Sequence, residues 1–147
     1  MEFVSFFEND RQEQWLQKLE QADWSAASFL VKLIREGNFL NMLGGEGGLY
    51  LLTDGEQIVS FATLTKQDCI RDERLYPWIG FVYTYPAYRG HRYAGTLLGH
   101  IEAAAVEKGF QRVYLATDHI GLYEKYGYTY LENRLDYLGD DSRVYTK

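Results

Sequence analysis

Residues 85–98 read Tyr85-Pro86-Ala87-Tyr88-Arg89-Gly90-His91-Arg92-Tyr93-Ala94-Gly95-Thr96-Leu97-Leu98. They follow an apolar run over residues 78–83 and lead into apolar residues at helical spacing that stop at Gly109. Pro86 suits the end of a strand, because it cannot donate a hydrogen bond to a neighbouring strand. The segment therefore predicts a strand, a loop that contains glycine, and a helix of about four turns.

The loop in this segment has the features of an anion site. The first backbone N–H groups of a helix lack intrahelical partners, and the helix dipole places positive charge there. Arg89 and Arg92 are cationic, His91 is a further candidate, and the segment contains no carboxylate although the chain has a formal net charge of -6. Gly90 and Gly95 let a ligand approach the backbone or permit positive φ angles. The pattern favours a phosphate ligand, and a basic loop on an ordinary packing helix is the alternative.

Composition limits the class of protein. A chain of 147 residues suits a single domain over residues 1–147 with a substantial core. The acidic balance, with a pI of about 5.0, argues against general nucleic-acid binding and modestly favours a cationic partner. Cys69 is the single cysteine and the three histidines show no ligand spacing, so we expect no internal disulfide and no metal. Without a signal-peptide pattern or an apolar run of membrane-spanning length, we expect a cytoplasmic protein with no membrane partner.

The rest of the chain predicts further strands and helices in a mixed order. Residues 44–48 are glycine-rich but lack the Gly-Lys-Ser/Thr ending of a phosphate-binding P-loop, so they read as a connector. Periodicity and turn residues predict a strand over residues 2–7, a helix capped by Asp10 and Glu13, a helix from Ser25 to Gly37, a hairpin of residues 49–53 and 57–65 around Asp54-Gly55, strands over 78–84 and 112–116, a short helix that Asp118 could cap, and strands over 128–131 and 143–146. This order predicts an α/β sandwich of a mixed sheet and helices.

Two segments together resemble one enzyme family. Residues 85–98 resemble the acetyl-CoA pyrophosphate loop and helix of the GNAT N-acetyltransferase superfamily, and Leu122-Tyr123-Glu124-Lys125-Tyr126-Gly127-Tyr128 resembles its later tyrosine signature. The resemblance covers essentially residues 48–147. It implies an α/β fold, α+β in some schemes, with a mixed and mostly antiparallel central sheet flanked by helices. It also implies a splay between the strands at residues 78–84 and 112–116.

The resemblance implies acetyl-CoA as the acetyl donor. Main-chain groups of Val82, Tyr83 and Thr84 would then pair with the pantetheine arm. The loop residues would bind the pyrophosphate; these are Arg89, Gly90, His91, Arg92, Tyr93, Ala94, Gly95 and Thr96. Arg92 departs from the family pattern, which has a small residue at this position, so its side chain either turns outward or contacts a phosphate.

The same resemblance suggests catalytic residues. Tyr123 aligns with the family tyrosine that is often assigned as the general acid, and a tyrosine that only packs is the alternative interpretation. Many family members place a carboxylate in or beside the pantetheine strand, and this chain has none between residues 78 and 85. The candidates for a general base are Asp68, Asp72, Glu73, Asp118 and His119.

The resemblance implies an N-acetyltransferase that moves an acetyl group from acetyl-CoA to a primary amine by direct transfer in a ternary complex. The acceptor is a small-molecule or peptide amine, and the sequence leaves open a polyamine, an aminoglycoside, an amino acid or a protein N-terminus. The missing strand carboxylate and the departure at Arg92 leave a non-catalytic acetyl-CoA-binding regulator or sensor as the alternative. The aromatic strands could as easily cover the core as an interface, so the sequence leaves a homodimer open.

Overall fold

The computed structural model describes residues 1–44 and 47–147, and within them a seven-stranded mixed sheet forms the centre of the fold. Neighbouring strands are antiparallel except for one parallel pair, β4 with β5. In spatial order the strands are β1 (Glu2–Ser5), β2 (Gly48–Asp54), β3 (Gln57–Thr65), β4 (Trp78–Thr84), β5 (Tyr114–Thr117), β7 (Asp141–Thr146) and β6 (Thr129–Leu135). The predicted mixed, mostly antiparallel α/β architecture is confirmed.

Successive residues of a strand point to opposite faces of the sheet, so the apolar strands place side chains on both faces. Helices cover both of these faces. The helices are α1 (Gln12–Glu20), α2 (Ser25–Arg35), α3 (Phe39–Leu43) and α4 (Tyr93–Glu107). On β2, Leu49 and Leu51 pack with α1, α2 and α3, whereas Tyr50 and Leu52 pack with α4. The two resulting cores lie on opposite faces of the sheet.

The strand, loop and helix around residues 85–98 follow the sequence. β4 ends at Thr84, a 3₁₀ turn covers Pro86–Tyr88, and α4 begins at Tyr93. Gly109, two residues beyond the end of α4, has a φ of +91°, a conformation that favours glycine. The predicted hairpin of β2 and β3 also forms around Asp54-Gly55.

Several predicted boundaries are wrong. Residues Phe6–Glu8 form a 3₁₀ turn rather than the end of β1, and the short helix α3 was not predicted. Asp10 does not cap α1; Asn9 Oδ1 instead accepts hydrogen bonds from the Arg11 N–H at 2.8 Å and from Trp15 Nε1 at 3.1 Å. The two last strands extend over Thr129–Leu135 and Asp141–Thr146, and β5 begins at Tyr114 rather than at residue 112. Of the predicted glycine-rich connector, Gly45 and Glu46 lie outside the described residues.

The splay between β4 and β5 is confirmed. Across the described chain, the two strands share a single registered pair, Trp78 with Tyr114. On its other edge β4 stays paired with β3 as far as Thr84, with a bulge that sets two β4 residues against Ala62. Phe81 lies in this bulge at a φ of +50°, which is costly for a residue other than glycine. The bulge and the splay leave the β5-facing edge of β4 open beyond Trp78.

Across the described ranges, no helix combines the length and the apolar character needed to cross a bilayer.

Candidate active site

The loop before α4 contains two residues with positive φ. Gly90 has a φ of +83°, and Arg92, the N-cap of α4, has φ +61° and ψ +25°. The helical hydrogen bonds of α4 begin with the Thr96 N–H, which donates to the Arg92 carbonyl at 3.3 Å. The N–H groups of residues 93–95 precede that bond, so they are available to an anion at the helix N-terminus.

Two arginines flank this turn in different ways. Arg89 Nε donates to the Thr84 carbonyl at 2.9 Å, and its guanidinium lies 5.4 Å from the centroid of the Tyr83 ring. The Arg92 guanidinium lies 5.9 Å from the centroid of the Tyr126 ring. Arg89 is therefore tied to the end of β4, and Arg92 lies over the 3₁₀ turn that carries Tyr126.

A cavity of about 600 Å³ lies against this loop, and we call it the loop cavity. Of the predicted cofactor residues, it brings together eight: Val82, Tyr83, Thr84, Arg89, Gly90, Arg92, Tyr93 and Ala94. His91, Gly95 and Thr96 do not line it. A Cβ atom built on Gly95 would lie 2.5 Å from the Tyr126 ring, so this glycine lets α4 pack against the following turn. The remaining lining residues are Asp23, Trp24, Tyr88, His119, Leu122, Tyr123 and Tyr126.

A second cavity, of about 620 Å³, lies beside the loop cavity, and we call it the aromatic cavity. The two share four lining residues: Trp24, Val82, His119 and Tyr123. The aromatic cavity is bounded further by α2, by the segment between β3 and β4, by β4 and β5, and by the β6–β7 loop. Its other walls include Phe29, Asp68, Cys69, Arg71, Gly80, Phe81, Asp118, Tyr137 and Leu138.

Tyr123 stands where the two cavities meet. It begins the 3₁₀ turn Tyr123–Tyr126, and its side chain is 7% exposed among the rings of Tyr128 and Tyr145. Burial raises the pKa of its phenol to about 12. The hydroxyl is therefore protonated at neutral pH and can act as a hydrogen-bond donor.

Asp68 reaches β4 from the segment that joins β3 to β4. A Cβ atom built on Gly80 would lie 2.7 Å from Asp68 Cγ and closer still to its Oδ1, so only glycine at residue 80 leaves room for this carboxyl. Oδ1 is shielded from solvent and has no hydrogen-bond partner in the described chain. Burial raises the pKa of the Asp68 carboxyl above its ordinary value.

The other base candidates separate by position. Asp72 is held by Arg74 at 2.9 Å and by Arg134 at 3.1 Å, and hydrogen bonds from these arginines keep the pKa of its carboxyl well below its usual range. Asp72 and Glu73 line neither cavity. Asp72 is therefore both paired and outside the two cavities, and Glu73 is outside them.

Asp118 and His119 both border the aromatic cavity, and both are exposed. The predicted cap by Asp118 is wrong: Leu122 is the N-cap of the 3₁₀ turn, without a side-chain cap, and Glu124 Oε2 accepts a hydrogen bond from the Gly121 N–H at 3.1 Å. The candidates that touch a cavity are therefore Asp68, Asp118 and His119.

The sequence did not indicate the aromatic walls, because Trp24, Phe29 and Tyr137 come from separate elements. Gly80 did carry a signal, since a glycine inside an apolar strand often marks a close approach by another group. That signal could have predicted a contact on β4, although not with Asp68.

Comparison with known proteins agrees with this geometry. The profile of the acetyltransferase (GNAT) family matches residues 4–128. The chain belongs to this family. Comparison with curated proteins gives no match.

Solved structures of acetyltransferases share the fold at low sequence identity. The aminoglycoside 6'-N-acetyltransferase from Enterococcus faecium is 14% identical, with a TM-score of 0.68 over 100% of this chain and 96% of that one. An acetyltransferase from Streptococcus agalactiae is 20% identical, with a TM-score of 0.67 over 99% of this chain and 96% of that one. An aminoglycoside 6'-N-acetyltransferase complexed with coenzyme A is 15% identical, with a TM-score of 0.67 over 100% of this chain and 96% of that one.

Proposed function

We propose that this GNAT chain is an acetyl-CoA-dependent N-acetyltransferase that transfers the acetyl group directly to a primary amine within a ternary complex. One observation carries the proposal: two cavities of similar size, one beside a cationic helix N-terminus and one beside a buried carboxylate, meet at Tyr123. A solved relative that contains coenzyme A supports the donor.

The loop cavity has the donor groups that acetyl-CoA requires. The N–H groups of residues 93–95 and the guanidinium groups of Arg89 and Arg92 suit a pyrophosphate. The open edge of β4 beyond Trp78 offers main-chain groups to the amides of a pantetheine arm, and Val82, Tyr83 and Thr84 border the cavity there. When bound, acetyl-CoA supplies an acetyl group activated as a thioester.

Tyr123 acts by donating a hydrogen bond rather than by giving up its proton completely. With a pKa of about 12 it is several units less acidic than an alkyl thiol of pKa about 8.5, so complete transfer to a thiolate would cost about 5 kcal/mol. A phenol that stays protonated still stabilises negative charge that develops on sulfur as the acetyl group leaves.

Cys69 favours direct transfer over an acyl-cysteine route. It is the one cysteine of the chain, and burial with the neighbouring Asp68 raises the pKa of its thiol to about 12. The thiolate, which is the nucleophilic form, is therefore scarce at neutral pH.

The acceptor must lose a proton before it attacks. An alkylammonium of pKa about 10.4 lies roughly 3.4 units above pH 7, so presenting the neutral amine costs about 4.6 kcal/mol. Asp68, Asp118 and His119 border the cavity where this amine would bind, and each is a candidate to accept the proton directly or through water.

The test is amine-dependent release of the coenzyme A thiol, together with detection of the acetylated amine by mass spectrometry. We expect thiol release that requires both acetyl-CoA and an amine, with an initial-rate pattern in which double-reciprocal lines intersect. Saturable acetyl-CoA binding without product for any amine would favour the non-catalytic sensor. Parallel double-reciprocal lines would refute direct transfer.

A further inference from the structure

Asp68, from the segment between β3 and β4, contributes a carboxylate to the wall of the aromatic cavity, whereas β4 has no acidic residue of its own. No acidic residue lies between residues 78 and 85, yet Asp68 Oδ1 occupies the space that a side chain at residue 80 would fill. The missing side chain of Gly80 therefore places an acid from another segment on β4, next to Phe81 and Val82.

This carboxylate forms no ion pair among the described residues. Its Oδ1 has neither solvent nor a hydrogen-bond partner, which is costly for an ionised group. The neighbouring cation, Arg71, is engaged elsewhere: its Nη1 donates to Gln67 Oε1 at 2.7 Å and to the Met42 carbonyl at 3.3 Å, and its guanidinium lies 5.3 Å from the centroid of the Tyr137 ring. A cation bound in the cavity would supply the missing partner.

The rest of the cavity suits a ligand with an apolar body better than a ligand with several positive charges. Its walls include the aromatic rings of Trp24, Phe29, Phe81 and Tyr137. Two carboxylates, Asp68 and the exposed Asp118, face the cavity, and Arg71 borders it as well. A ligand with several ammonium groups would find few partners there and would be repelled by Arg71.

We propose that the aromatic cavity selects a primary amine that carries one positive charge on a compact aromatic or aliphatic body. Its ammonium group binds the Asp68 carboxylate, and its body packs against Trp24, Phe29 and Phe81. A volume of about 620 Å³ lies within the ordinary range for a small-molecule site. The assignment rests on the proposed function, because it defines the acceptor of that reaction.

The test is calorimetric titration of the chain with 2-phenylethylamine, spermidine and kanamycin, with and without saturating desulfo-CoA, which cannot donate an acetyl group. We expect 2-phenylethylamine to bind most tightly. Asp68→Asn should weaken its binding by about tenfold or more, because a charge-assisted hydrogen bond is lost. Gly80→Ala should weaken it as well, since it keeps the carboxylate but forces it to move.

Glu73→Gln is the matched control, because it removes an exposed carboxylate from the same segment but outside both cavities. Unchanged desulfo-CoA affinity and a cooperative melting transition in each variant verify folding. Tighter binding of spermidine or kanamycin, or wild-type amine binding in Asp68→Asn, overturns the acceptor assignment. If the unmodified chain binds 2-phenylethylamine through Asp68 but does not bind desulfo-CoA, the proposed function is refuted and the amine site is retained.

Discussion

Replacing Arg92 separates the strain of its backbone from the role of its side chain. Arg92 sits in the left-handed region at φ +61°, where a residue with a Cβ atom pays roughly 1–2 kcal/mol relative to the right-handed region. Arg92→Gly removes this strain, and the larger conformational entropy of glycine in the unfolded chain offsets about 0.5–1 kcal/mol of the gain. We expect a net increase of about 0.5–1 kcal/mol in the free energy of unfolding. Arg92→Ala keeps the strain and should leave stability nearly unchanged.

Both variants remove the guanidinium group from the loop cavity. If that group contacts a phosphate of acetyl-CoA, its loss costs about 1.5–3 kcal/mol of binding free energy, so each variant should bind at least about tenfold more weakly. Differential scanning calorimetry measures the first effect, which corresponds to a rise of about 1–4 °C in the melting temperature for Arg92→Gly. Isothermal titration calorimetry with acetyl-CoA measures the second.

Arg112→Ala is the control, because it removes an exposed arginine that lines neither cavity. Equal melting temperatures for Arg92→Gly and Arg92→Ala would refute the strain argument. Acetyl-CoA affinity equal to that of the unmodified chain in both variants would remove Arg92 from the site.

Three further predictions concern the tyrosine, a helix packing contact and the buried acid. Tyr123→Phe should lower turnover by about 10²-fold or more while leaving acetyl-CoA affinity unchanged, because only a hydrogen bond to developing charge is lost; unaltered turnover would exclude that role. Gly95→Ala should destabilise the chain by about 1–3 kcal/mol, because its Cβ would lie 2.5 Å from the Tyr126 ring. Gly99→Ala, with nothing within 4 Å of its Cβ, should instead stabilise it by up to about 1 kcal/mol, and urea unfolding curves that shift alike would contradict the packing account. Asp68→Asn should raise the melting temperature at pH 7. The folded-state pKa of Asp68 lies above its ordinary value of 3.8, so the folded chain binds the carboxyl proton more tightly than the unfolded chain does. The protonated carboxyl therefore adds its full contribution to the free energy of unfolding below about pH 3.8. That contribution is lost as pH rises through the folded-state pKa. The difference between the variant and the unmodified chain should therefore vanish in acid, and a difference independent of pH would refute the shift.

Local sequence signals determined the part of the fold that carries the loop. Pro86, Gly90 and Gly109 mark a strand end, a turn and a helix end, and each of these features depends on the backbone conformation that its own residue prefers. The apolar residues 49–52 beside the Asp54-Gly55 turn likewise predicted a strand of a hairpin, and their side chains face the two cores in turn.

The contacts that define the aromatic cavity could not be predicted in this way. Asp68 lies beside Gly80 because the segment between β3 and β4 folds back onto the sheet. The periodicity of the sequence predicts helices and strands, but it does not predict such a contact between a loop and a strand. The residue type of Asp118 predicted a helix N-cap, but Leu122 is the N-cap of the 3₁₀ turn. The Gly121 N–H donates to the Glu124 carboxylate instead. Arg92 adopts a left-handed conformation that residue type alone argues against.

The central claim is that the loop cavity binds acetyl-CoA, and calorimetric titration of the chain with acetyl-CoA tests it most directly. Desulfo-CoA and ATP serve as controls, since the first keeps the pantetheine arm and pyrophosphate and the second lacks the arm. We predict saturable binding of acetyl-CoA and desulfo-CoA and much weaker binding of ATP. Absence of acetyl-CoA binding in a sample that melts cooperatively, or equal binding of ATP, would contradict the account.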